Sequence, residues 1–352
     1  MIRIRELEPY LCLPTTSIRA AMTRLNASDQ LFQLIVDADH VLLGTLTDGD
    51  VRRALLRGLS LDVPIEQCMH TEFIAGRVGA DAENQALLRS SFRLVNFVPL
   101  VDDKGRIAEI LVRDDPRTGV SYALVMAGGF GRRLGERTAK TPKPLLPIGD
   151  RPILEHLLGR LEDAGVVQIR IALHYHADQI RKFVAQRDCR AKISFMEEDE
   201  PLGTAGALGR LSSSPDVPIL VMNADVLTDV DVGALHDFHV RHGFDATVGV
   251  ARYDVDVPFG VVRYGEDGLF SGVDEKPRIS NFIAAGVYYL SPEFVALVPT
   301  DRPMDMPELL NLGRSIGMRI GVFPIHEYWT DVGRPDDLQR AEDWHRTARL
   351  VK

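Results

Sequence analysis

Residues 122 to 147 constrain the fold more than any other stretch. A short apolar run, Tyr122 to Ala127, breaks into Gly128-Gly129-Phe130-Gly131, then two arginines, then Pro142-Lys143-Pro144. An apolar strand that ends in glycines marks a tight turn at the edge of a sheet. Gly128, Gly129 and Gly131 lack Cβ atoms, so the backbone there turns sharply and brings N–H groups close to phosphate oxygens. The spacing is neither G-x-G-x-x-G nor that of a P-loop, so neither of those nucleotide folds is indicated. Arg133 presents a guanidinium shaped to fork onto phosphates. Lys143 stands between two prolines whose fixed φ restricts the loop and pre-positions the ammonium. Arg132, Arg137 and Lys140 read as solvated charge.

From Tyr122 onward, strand and helix patterns alternate. Strands are expected over Tyr122 to Ala127, Gln168 to Leu173, Ile193 to Met196, Pro218 to Met222 and Ala246 to Ala251. Helices are expected over Ile153 to Ala164, Ala177 to Ala185, Ala205 to Leu211 and Val232 to His242. Alternation of this kind predicts an α/β domain with an open, Rossmann-like sheet that is mixed but mostly parallel. Ligands of such sheets bind at the carboxyl ends of the strands.

The first 115 residues differ. They hold an α+β pattern that repeats at about 60 residues. Ser17 to Ala27 reads as a helix capped by Ser17 or Thr16. Leu31 to Val36 and Val41 to Leu46 read as strands joined by Asp37 to His40, and a helix follows from Val51 to Leu56. The second copy has a helix over Asp81 to Phe92 and strands over Phe97 to Val101 and Ile107 to Val112. Residues 116–121 form the linker, which divides the chain into 1–115 and 122–352.

A chain of 352 residues accommodates such a division. Its net charge of -9, with signs interspersed, excludes nucleic acid as an expected partner. Three scattered cysteines, Cys12, Cys68 and Cys189, suit reduced thiols. The amino-terminal residues carry no apolar signal region, and no apolar run reaches the roughly 18 residues that span a bilayer. The expectation is a cytoplasmic protein that does not engage membranes.

The run Ala127 to Leu134, Thr138 and Pro142 to Ile148 resembles the A-G-G-x-G-x-R-L…T…P-K-P-L-L-P-I signature of sugar-1-phosphate nucleotidylyltransferases. The resemblance extends to about residue 345. It implies that the backbone of Ala127, Gly128, Gly129 and Gly131, with Arg133, holds the β- and γ-phosphates, and that Lys143 neutralises charge at the α-phosphate. Pro201 to Gly206 resembles the loop near base and ribose, which makes Gly203 and Thr204 nucleotide contacts. Asp225, after the apolar strand, and Asp331, in Trp329 to Gly333, resemble the two Mg²⁺-binding aspartates. Asp274 to Pro277 resembles the E-K-P motif, with Lys276 on the sugar phosphate and Glu275 on a sugar hydroxyl. Gly286 is similar to the glycine of an N-x-G element at the sugar. Ala284 replaces the asparagine of that element, which leaves the sugar open.

His174 and His176 form an H-x-H, for which a packing role is favoured over metal ligation. Glu197 and Glu198 precede the Pro-Leu-Gly loop, where base recognition would fall. One carboxylate accepts both N1–H and N2–H₂ of guanine, whereas uracil or thymine matches an amide. GTP is therefore the expected nucleotide. Gly44 to Arg53 resembles the G-x-x-T-x-x-D-[IV]-R hallmark of a CBS motif, with Thr47 and Asp50 on ribose and phosphate of an adenine nucleotide. The second copy lacks that hallmark, and CBS pairs commonly associate as homodimers or higher homo-oligomers. A CBS pair fused to such a transferase is similar to the guanylyltransferases that act on glucosamine 1-phosphate in bacterial legionaminic acid synthesis. Mannose- or heptose-1-phosphate guanylyltransferases and UTP- or dTTP-dependent enzymes are the alternatives. A nucleotide-sensing protein without activity is the competing class.

Overall fold

A computed structural model describes residues 1–352 except 29, 91–95, 114–118, 130, 199, 212–215 and 351–352. The end of the expected helix at Phe92, the linker residues 116–118, Phe130 and Asp199 lie outside the described residues. The chain forms two compact units. One comprises Met1–Val120 with Val232–Phe244, and the other Ser121–Asp231 with Asp245–Lys352. Along the chain the first unit gives way to the second between Val120 and Ser121. The helix Val232–His242 has the expected bounds but groups with the first unit.

In the first unit, strands Leu11–Cys12, Phe32–Val36 and Leu42–Thr47 form one sheet. Ile2–Ile4, Ile107–Val112, Phe97–Val101 and Gly76–Arg77 form a second, in that order. The halves share one apolar layer, in which Phe32 stacks on Phe97 at 3.8 Å between ring centroids. Helix Ile18–Ala27 starts where Ser17 Oγ accepts from the Ala20 N–H. Helix Asp48–Leu56 begins three residues before the expected start. The reason is local: Thr47 and Asp50 form a capping box, which satisfies amides that would otherwise be orphaned at the first turn.

The second unit is built on a seven-stranded sheet in the order Lys192–Glu197, Gln168–Leu173, Tyr122–Met126, Ile219–Asn223, Arg278–Leu290, Ala246–Asp256, Ile320–Ile325. The first four strands are mutually parallel. Arg278–Leu290 runs antiparallel to both of its neighbours, which makes the sheet mixed, as the fold class anticipated. Leu124, Val221, Leu290 and Phe294 belong to its apolar core. Two hydrogen-bond ladders continue past the parallel strands, from the Ala127 N–H to Ala172 and from the Glu198 N–H to Leu173. The Ala224 N–H likewise donates to the Met126 carbonyl at 3.0 Å. The glycine turn, His174, Glu198 and Asp225 thus leave the sheet from adjacent strand ends, the position at which α/β sheets bind ligands. No helix among the described residues is long and apolar enough to cross a membrane.

Candidate active site

The glycine turn owes its shape to two residues. Gly131 has φ 65°, a left-handed conformation that side chains disfavour. A Cβ there would meet Thr138 Cγ2 at 2.9 Å and Lys143 Cβ at 3.3 Å. Thr138 Oγ1 donates to the carbonyl of Gly131 at 2.9 Å, so the turn is tied onto the segment that leads to Lys143. Gly131→Ala is expected to cost about 1–2 kcal/mol from its φ alone. Urea unfolding of the variant checks this; an unchanged midpoint would mean the turn relaxes without strain.

Lys143 opens a short 3₁₀ turn, Lys143–Leu145, after Pro142 at φ -61°. Lys143 is largely buried, and its ammonium points at two acids. Nζ donates to Asp225 Oδ2 at 2.5 Å and to Asp331 Oδ1 at 3.3 Å. The acids reach one another through a small antiparallel ladder. Val226–Thr228 pairs with Trp329–Asp331, placing Val226 opposite Asp331, and the Val332 N–H donates to the Asp225 carbonyl at 3.0 Å. Although 48 % of the Asp331 side chain is open, crowding removes enough water to raise its pKa above the ordinary value. The Asp225 charge raises it further, and the Lys143 ammonium opposes both. Two carboxylates held side by side are hard oxygen donors. They fit a cation such as Mg²⁺, which takes few protein ligands and completes its shell with phosphate oxygens and water. No cluster of three or more metal-ligating side chains occurs among the described residues.

Glu198 and Glu197 are adjacent in sequence and differ in setting. Glu197, at the exposed end of its strand, is bound by Arg181 at 2.5 Å. Glu198 is only 6 % exposed. Its Oε2 accepts from the Leu202 N–H at 3.3 Å and would lie 3.6 Å from a Cβ at Gly128. Its Oε1 is buried with no hydrogen-bond partner among the described residues. Burial pushes the Glu198 carboxyl above the usual carboxylate range. A desolvated, half-satisfied carboxylate beside the glycine turn is a receptor for N–H donors.

The remaining expected contacts divide. Thr204 is committed within the protein: its N–H and Oγ1 donate to Asp305 Oδ1, and Oγ1 accepts from the Met306 N–H at 2.8 Å. Gly203, at φ 80°, packs so closely that a Cβ would meet the Met304 carbonyl oxygen at 2.6 Å. Gly286, at φ 69°, would place a Cβ 2.8 Å from Asn223 Nδ2. Trp329 Nε1 donates to the neighbouring Ala285 carbonyl at 2.8 Å. Sequence reasoning missed this indole bond, which carries no local signal. Arg133, Glu275 and Lys276 are exposed, and none makes a hydrogen bond or ion pair among the described residues. Among the described residues, no hydrogen bond or ion pair joins these three to Lys143, Asp225 or Asp331. His174 Nδ1 bonds the Glu198 carbonyl at 2.8 Å, whereas His176 sits at φ 54° near the Ala139 carbonyl, so the H-x-H pair serves two different local structures. In the first unit, Asp50 accepts from the Thr47 N–H at 2.8 Å and Oγ1 at 2.6 Å and is also paired with Arg53.

The nucleotidyl transferase family model matches residues 122–346, and the CBS domain model matches residues 4–57. The chain is 35 % identical over 224 residues to the mannose-1-phosphate guanylyltransferase catalytic subunit beta of Drosophila pseudoobscura pseudoobscura, covering 61 % of this chain and 60 % of that protein. It is 36 % identical over 232 residues to a mannose-1-phosphate guanyltransferase of Emericella nidulans, covering 61 % and 62 %. The chain thus spans about three fifths of the length of these curated relatives. Among solved structures it is similar to HddC from Yersinia pseudotuberculosis complexed with GMP-PN, with 27 % identity and a TM-score of 0.51, covering 64 % of this chain and 100 % of that one.

Proposed function

The chain belongs to the nucleotidyl transferase family and carries a CBS domain near its N-terminus, and from that premise we propose that it transfers a guanylyl group from GTP to a hexose 1-phosphate. The observation that carries this reading is Lys143 held between Asp225 and Asp331 beside the glycine turn. The physical problem is the meeting of two polyanions. An oxygen of the sugar phosphate bonds to the α-phosphorus of the nucleotide, the bond from that phosphorus to the bridging oxygen breaks, and pyrophosphate leaves. The nucleophile is already ionised near neutral pH, so the protein needs no general base. Its task is positioning and charge neutralisation.

Each residue has a proposed part in this reaction. The amides of Ala127 to Gly131 and the Arg133 guanidinium bind the outer phosphates. Lys143 neutralises the α-phosphate. Asp225 and Asp331 would hold Mg²⁺, which when bound supplies positive charge to phosphate oxygens. Exposed Lys276 and Glu275 meet the incoming sugar phosphate. Asp225→Ala is expected to lower turnover by about 10²–10³-fold, the scale of losing one charge-stabilising group. Near-normal, Mg²⁺-dependent pyrophosphate release in that variant would remove Asp225 from the metal site.

Guanine is favoured by Glu198 and by the guanine nucleotide bound to the HddC relative. Mannose 1-phosphate is favoured by the names of the curated relatives. Glucosamine 1-phosphate is favoured by the CBS fusion, and Ala284 leaves the sugar pocket without an asparagine amide. Initial rates of pyrophosphate release with GTP, UTP, CTP, ATP and dTTP against mannose, glucosamine, glucose and heptose 1-phosphates decide among them. GTP is expected to be fastest; highest rates with UTP or dTTP would overturn the guanine assignment. The proposal extends to an adenine nucleotide at the CBS domain, supported by the Thr47–Asp50 motif. The substitution at Ala284 favours the second reading, a sensor that binds such a nucleotide and releases no pyrophosphate.

A further inference from the structure

The first unit contains a cavity of about 270 Å³, lined in part by the Thr47 to Asp50 turn and Arg53. The lining also includes Ala234, Asp237, Phe238, Arg241 and His242. Those residues belong to the Val232–His242 helix, more than a hundred residues further along the chain. A resemblance to CBS motifs says nothing of this helix, because it falls within the sequence matched by the nucleotidyl transferase family.

A directional contact fastens the helix. His242 Nδ1 donates to the Phe238 carbonyl at 2.8 Å, which leaves Nε2 to accept from Arg53 at 3.0 Å. Arg53 is in turn paired with Asp50, which Thr47 holds. The chain of contacts runs Thr47–Asp50–Arg53–His242, from the CBS motif to the helix. Arg241, also in the lining, is paired with Asp237 at 3.3 Å. The lining therefore offers two guanidiniums, and Phe73 and Phe238 supply flat apolar surface. That combination suits a ligand with one planar ring system and one phosphate group. The volume is near the lower bound of roughly 300–1,000 Å³ typical of small-molecule sites, as expected for a single nucleotide.

The helix also has a position in the chain that gives it leverage. Val232 follows Asp225 by seven residues, and the strand Val226–Thr228 between them carries the ladder that holds Asp331 beside Asp225. We propose that the Val232–His242 helix is a working wall of a nucleoside-phosphate site, and that a ligand there displaces the Arg53–His242 contact and shifts the segment bearing Asp225. The ligand class rests on the reading of the CBS domain given above; the wall and its connection to Asp225 do not.

Calorimetric titration of the full chain with AMP and with ATP tests the wall. Arg53→Ala and Arg241→Ala are each expected to weaken binding at least tenfold, with Arg241→Lys restoring part of it. Wild-type affinity in Arg241→Ala alongside loss in Arg53→Ala would show that the helix is no part of the site. Absence of AMP and ATP binding to the wild type would overturn the ligand class. Two readouts test the connection: pyrophosphate release with and without AMP, and amide hydrogen exchange over residues 226–231. Bound nucleotide is expected to change both in the wild type and neither in Arg241→Ala, whose basal rate stays within twofold. Binding without any change in exchange would refute the connection. If no substrate pair releases pyrophosphate, the proposed reaction fails, while the exchange measurement still judges the helix.

Discussion

Lys143→Met is expected to lower kcat by about 10²–10³-fold, because the ammonium is the cation fixed where negative charge must accumulate. The same substitution should leave a signature in stability. The Asp331 pKa is raised by loss of water and by the Asp225 carboxylate, and Lys143 is the group that opposes the rise. Removing the ammonium raises it further. A carboxyl whose folded-state pKa exceeds its unfolded value favours folding in its protonated form, and that advantage disappears as pH climbs through the folded pKa. Lys143→Met should therefore lose more melting temperature at pH 8 than at pH 5, and Mg²⁺ should return part of the loss. An equal loss at both pH values would show that the carboxylates do not depend on Lys143. A kcat within tenfold of wild type would remove Lys143 from the reaction.

Glu198→Gln is expected to move base preference and stability in opposite directions. A carboxylate accepts from both donors of guanine, whereas an amide turns one acceptor into a donor and meets N–H with N–H. With a bidentate base contact worth about 1–3 kcal/mol, kcat/KM for GTP should fall about 10- to 100-fold relative to UTP. The carboxyl that is lost is also a burden to the fold. Burial raises its pKa, so its ionised form costs stability increasingly as pH rises through the folded value. Glutamine carries no charge, and its carbonyl can still accept from the Leu202 N–H. Glu198→Gln should melt higher than wild type at pH 8, with little difference at pH 4. Unchanged preference between GTP and UTP would mean that another group reads the base.

Local pattern was enough for several elements and not for others. Val232–His242, Phe97–Val101 and Ile107–Val112 have the bounds expected from apolar spacing alone. The helix expected from Ala205 runs instead over Gly203–Gly209, because Thr204 anchors its start to Asp305 and Met306 from far along the chain. The strand from Ala246 extends to Asp256, since its partner Arg278–Leu290 is longer still and continues the ladder beyond the core. The order of the motifs pointed to Lys143, Asp225 and Asp331, which the structure brings together, but nothing in it singled out Glu198 over Glu197 as the buried carboxylate. Adjacent residues on a strand face opposite ways, and only the packing tells which one is enclosed. The placement of Val232–His242 in the first unit was hidden for a similar reason. Amphipathic spacing reveals that a helix has an apolar face without saying what covers it.

The ladder that seats Asp331 beside Asp225 also sets an order of events during synthesis. Lys143 and Asp225 emerge from a ribosome well before Trp329–Asp331 is made. A growing chain that has reached residue 300 has an ammonium and one carboxylate free to neutralise each other, and lacks the second acid. If the proposed reaction holds, such a chain should stay catalytically silent until Trp329–Asp331 pairs with Val226–Thr228.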